Sequence, residues 1–139
     1  LAQAFGPSMC ARTADGVNSA VAWVNLLSVG ALTNAQPFGA FSASQAGAYS
    51  ISQALRSEFR TAGLRVMNVF LGPTEEDEWY QQLPPPKVTS QALGRAVVDG
   101  LERGLEDVWC GDIAKDFRDR FRRDPKVLER EMTMGEDGA

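Results

Sequence analysis

The sequence has no histidine among its 139 residues and only two cysteines, Cys10 and Cys110. Without histidine there is no Ser-His-Asp triad, no Cys-His pair and no His-ligated metal. Two cysteines are too few for a structural zinc site of their own. Basic excess is also missing: 14 Lys and Arg stand against 18 Asp and Glu, for a net charge of −4 and a pI of about 4.8. Nucleic acid is therefore not an expected partner. No apolar run is long enough to span a membrane, so no membrane partner is expected. The first residues, Leu1 to Pro7, lack the basic start and apolar stretch of a signal peptide. A cytoplasmic location with both thiols reduced is the expectation. The chain does not begin with Met, so residues upstream are allowed for.

What remains is ordinary for a globular domain: 44% hydrophobic and 23% charged residues. That length allows one domain with a modest core. The apolar pattern alternates between helix and strand periods. A short helix is expected over 1–11, with Leu1, Ala4, Phe5 and Met9 on one side and Pro7 awkward within it. The apolar run 20–27 reads as a strand buried on both faces. Residues 28–40 read as a loop. The span 41–62 is the strongest helix, with small residues (Ala43, Ala46, Gly47, Ser50, Ala54) along one side and Gly63 as its stop. A second strand covers 64–71. The segment 74–88 is irregular, acidic at first and then proline-rich. Thr89 or Ser90 caps a helix to about 104, with Ala92, Ala96, Val97 and Leu101 inward. A third short strand spans 106–110. A charged helix spans 113–134, interrupted near Asp124-Pro125. Its alternating charges read as a solvated face. Strand-helix-strand order implies an α/β fold with about three parallel strands and flanking helices. The first strand would be a bare apolar edge, which invites pairing with another chain.

Three segments carry a resemblance: Val24–Gly30 (Val-Asn-Leu-Leu-Ser-Val-Gly), Phe41–Ala46 (Phe-Ser-Ala-Ser-Gln-Ala) and Leu64–Pro73. Together they resemble the short-chain dehydrogenase/reductase family, a doubly wound, Rossmann-like oxidoreductase fold. The resemblance runs from about residue 1 to 131 and includes Trp109-Cys-Gly-Asp112. It matches only the C-terminal half of that family. The expected organisation is therefore a partial Rossmann domain over 1–134 and a tail over 135–139. The family's glycine-rich dinucleotide loop would lie before residue 1, and no G-x-G-x-x-G cluster occurs in this sequence.

The resemblance places the family's catalytic serine on Ser28 and its Tyr-x-x-x-Lys pair on Phe41 and Gln45. The family uses the tyrosine to move a proton while hydride passes to or from a nicotinamide. Its lysine lowers the tyrosine pKa and binds the cofactor ribose. Phe41 has no hydroxyl to exchange a proton. Gln45 has no charge to shift a phenol. The threonine that meets the nicotinamide amide falls on Glu76. Two roles fit Ser28: a vestigial substrate-polarising residue, or a polar strand end bonded to loop backbone. Gln45 reads either as a relic of the lysine site or as part of a Ser42–Gln45 capping box. Glu75 to Glu78 lack a calcium-loop spacing, so no metal is expected. Trp79-Tyr80 and Pro84 to Pro86 occupy the place of the family's substrate lid. The two cysteines have no cationic motif near them in sequence, so a reactive thiol has little support.

The helix 41–62 corresponds to one that builds a dimer interface in the family. Tyr49, Gln53, Arg56 and Arg60 are its outward candidates. These readings predict a non-catalytic subunit acting through a homo-oligomer, or a hetero-oligomer with a fuller chain of the same family. The alternative is the C-terminal part of an NAD(P)-dependent oxidoreductase, active only with a partner chain or an upstream half. No cofactor is expected for the chain alone, and NAD(P) only once it is completed.

Overall fold

A computed structural model describes residues 1–16, 21–76 and 85–134. The elements are α1 (Ala2–Ala14), β1 (Ala22–Ser28), α2 (Gly39–Phe59), β2 (Arg65–Leu71), α3 (Ser90–Glu102), β3 (Asp107–Cys110), α4 (Gly111–Arg123) and α5 (Pro125–Met134). Short 3-10 turns occupy Val29–Ala31, Gln36–Phe38 and Arg60–Ala62. The strands form one parallel sheet in the order β1-β2-β3. The fold is therefore α/β, as the alternation of periods implies.

Side chains alternate across β2, and the two faces take different cover. Met67 and Val69 pack with Val108 and Cys110 against Leu93, Ala96, Val97 and Leu101 of α3. Val66 packs with Leu64 and Phe59 against Met9 and Cys10 of α1 and Leu55 of α2. On the same side as Val66, the Phe70 ring lies between Trp109, stacked at 4.3 Å, and Tyr49, edge-on at 5.1 Å. Phe70 and Val69 are wholly buried.

β1 differs from the expectation of a strand buried on both faces. Leu27 is 3% exposed, but Leu26, on the opposite face, is 54% exposed. Helix α3 lies over β2 and β3 and leaves Leu26 uncovered. Among the described residues β1 pairs only with β2, and its other edge has no strand partner among them.

Local signals account for most boundaries. Gly63 takes a left-handed conformation, φ 72°, after the turn that ends α2. Thr89 caps α3, its hydroxyl accepting from the Ala92 N–H at 3.0 Å. The break before α5 is a cap as well: Asp124 Oδ1 accepts from the N–H groups of Lys126 and Val127, and Pro125 opens the new helix. Thr74 and Val88 form an isolated bridge that closes the irregular segment. Most of that segment, including Asp77, Glu78, Trp79, Tyr80 and Pro84, lies outside the described residues, as do the tail 135–139 and residues 17–20.

The structure sets the inward face of α1 and corrects that of α3. In α1 the packed side chains are Met9 and Cys10, with Gly6 buried, while Leu1 and Phe5 are 88% and 54% exposed. The Phe59 ring sets this rotation. It fits only against a residue without a side chain, since a Cβ on Gly6 would lie 2.8 Å from it. In α3, Leu93 faces inward and Ala92 is exposed.

Across the middle of the sheet runs a polar ladder centred on the buried Asn68. Asn25, Asn68 and Asp107 are register partners on adjacent strands. Asn25 Nδ2 donates to Asn68 Oδ1 at 3.1 Å. Asn68 Nδ2 donates to Ser52 Oγ at 2.9 Å and to Asp107 Oδ1 at 3.1 Å. The Trp23 indole N–H completes the row on Asn25 Oδ1. Satisfied in this way, the amides are tolerated where unpaired ones would be costly.

Candidate functional site

Ser28 closes β1, and Phe41 and Gln45 lie in the first two turns of α2. The fold brings all three to the C-terminal end of the sheet. Gln45 Oε1 accepts a hydrogen bond from the Ser28 backbone N–H at 2.9 Å. The Ser28 hydroxyl accepts from the Gly30 N–H at 3.0 Å and caps the turn Val29–Ala31. Gly30 leaves room for this arrangement: a Cβ there would stand 3.3 Å from Ser28 Oγ and 3.2 Å from Ser42 Oγ.

The capping-box reading of Ser42 and Gln45 is corrected. Helix α2 begins earlier, at Gly39, so both residues lie inside it, and Phe38 at the cap position offers no side-chain bond. Ser42 is buried and Gln45 reaches across to β1 instead.

A cavity of about 260 Å³ opens beside these residues. Ser28, Phe41 and Ser42 line it together with Phe38, Thr33, Ile113 of the α4 start, Phe117 and Met132. Among the described residues no lining side chain is charged or an acid or base. The described walls can pack apolar groups and offer hydroxyls, and none of their side chains is a carboxylate, amine or phenol. Thr33, Phe38, Phe117 and Met132 carried no signal in the sequence, because loop and terminal helices place them there.

A second, smaller cavity of about 150 Å³ is lined by Cys110, Lys87, Asp112 and Gly72, among others. Burial pushes the Cys110 thiol above its ordinary pKa, with Lys115 opposing the shift. Both cysteines are free thiols. Glu75 and Glu76 are exposed, and no group of three or more metal-ligating side chains occurs among the described residues.

The outward set on α2 is also corrected. The stripe facing the sheet runs through Ser42, Gln45, Tyr49, Ser52, Arg56 and Phe59, at helical three- and four-residue steps. Tyr49 packs on Phe70. Arg56 donates to the Val66 carbonyl at 3.0 Å and to Asp107 at 2.5 Å. Both are committed within the chain because they follow the Ser52–Phe59 phase of the helix. Gln53 and Arg60 are exposed, as are the small residues Ala43, Ala46, Gly47, Ser50 and Ala54. Ile51 is 61% exposed beside them.

No protein-family model matches the chain, and no curated protein matches it. Solved structures do. A short-chain dehydrogenase from Burkholderia cenocepacia, determined in complex with NADP, superposes with a TM-score of 0.78 at 28% identity. It is matched over 91% of this chain and 50% of its own. The fold is that of half a short-chain dehydrogenase. A protein from Novosphingobium aromaticivorans described as a short-chain dehydrogenase shares the fold, with a TM-score of 0.69 at 16% identity, over 99% of this chain and 47% of its own. The chain thus spans about half the length of the short-chain dehydrogenase structures it matches.

The described residues do not fit a nicotinamide cofactor of the kind a short-chain dehydrogenase holds. The Gln45 carbonyl oxygen, where the resemblance puts the family's lysine, is spent on the Ser28 N–H. Where the resemblance puts the family's tyrosine, the Phe41 ring stands, 43% exposed. Among the described residues no cation lines the cavity to meet a ribose or phosphate. No helix among the described residues is long and apolar enough to cross a membrane.

Proposed function

We propose that this chain is a non-catalytic short-chain-dehydrogenase-like subunit that acts by associating with a second chain of the same fold, in the first instance its own copy. One observation carries the reading. The resemblance puts the family's tyrosine and lysine on Phe41 and Gln45, and Gln45 is built into the scaffold by its bond to Ser28. The proton-transfer pair is replaced by a packing residue and a structural strut. The association half of the proposal draws on surfaces the chain leaves open. These are the bare edge of β1 with Leu26, and the outward face of α2 with its small residues and Ile51. Apolar edges and faces of this kind favour pairing with another chain.

The test is light scattering combined with an NADPH oxidation assay against a panel of carbonyl compounds. The chain is expected to associate and to show no turnover. Turnover that disappears in Ser28→Ala overturns the proposal.

A second reading is favoured by the half-length match to an NADP-bound structure. Here the chain supplies one part of an NAD(P)-dependent oxidoreductase and works only when joined to a nucleotide-binding half. In a complex with a fuller chain, turnover that survives Ser28→Ala assigns the chemistry to the partner and supports the first reading. Turnover that needs Ser28 supports the second.

A further inference from the structure

No further inference is drawn: the strongest candidate, the cavity of about 150 Å³ where the starts of α3 and α4 meet the end of β2 beside the buried Cys110, rests on helix N-termini and a lone cysteine, and nothing among the described residues points to a ligand there.

Discussion

The Gln45 side chain accepts the backbone N–H of Ser28 at 2.9 Å, tying the second turn of α2 to the end of β1. An amide oxygen suits that task, and a lysine cannot perform it, having three donors and no acceptor. Gln45→Ala is expected to cost about 1 kcal/mol in urea denaturation, the net worth of a hydrogen bond. Gln45→Lys should cost more than Gln45→Ala, because its ammonium faces a donor. Equal or greater stability in Gln45→Lys would show that the bond does not hold the two elements together.

The polar ladder predicts a larger effect at Asn68. This residue is wholly buried and bonds to Asn25, Ser52 and Asp107 at once. Asn68→Leu keeps the volume but strands those partners, and should destabilise by about 2–4 kcal/mol. Adding Asn25→Leu should cost less than the two separate changes together, since they share one bond. Thermal unfolding of the four species completes the cycle. Additive effects would mean that the ladder is not coupled.

Two glycines give opposite expectations for alanine. A Cβ on Gly100 would lie 2.6 Å from Val108 and 2.9 Å from Met67. Gly100→Ala should therefore overpack the contact between α3 and the sheet, costing about 1–3 kcal/mol. Gly47 lies mid-helix in α2 with nothing within 4 Å of such a Cβ. Gly47→Ala should raise the intrinsic stability of the chain by about 0.5–1 kcal/mol through helix propensity. If the outward face of α2 is an interface, the same change weakens association. Stability and association then move in opposite directions, a pattern that denaturation at two protein concentrations would detect.

The cysteines should differ in reactivity. Burial raises the Cys110 pKa, while Cys10 is half-buried at the α1 surface. A thiol reagent at mildly alkaline pH should label Cys10 first and Cys110 at a rate that follows opening of the fold. The sign for stability follows. Cys110 favours the folded state fully below its unfolded pKa, and that contribution is lost as pH rises through the raised folded value. Cys110→Ala should remove this alkaline component of the pH profile. An unchanged profile would contradict it.

Much of the fold was legible because its signals are local. Gly63, Thr89 and Asp124-Pro125 mark boundaries by backbone chemistry that acts within a few residues. The three apolar runs became three parallel strands. The resemblance had grouped Ser28, Phe41 and Gln45, and the fold brings all three to one end of the sheet. Which way a helix faces was harder. Tyr49 and Arg56 look like outward residues in a list of polar and aromatic types, yet Phe70 and Asp107 draw both inward. The phase of α2 is set by the sheet it packs on, and that sheet is assembled from distant segments. The asymmetry of β1 had the same origin, since cover over Leu26 depends on where α3 lies. The polar ladder did leave a trace: Asn25 and Asn68 each interrupt an apolar strand near its middle.

The central claim is that this chain works by association and not by catalysis, and sedimentation equilibrium of the full chain tests the association directly. The account predicts a self-associated species, and a folded monomer in Ile51→Asp, which places a charge on the exposed face of α2 without touching the core. Helical circular dichroism should be the same for both. An unaltered chain that is a stable, well-folded monomer across micromolar concentrations would contradict the account.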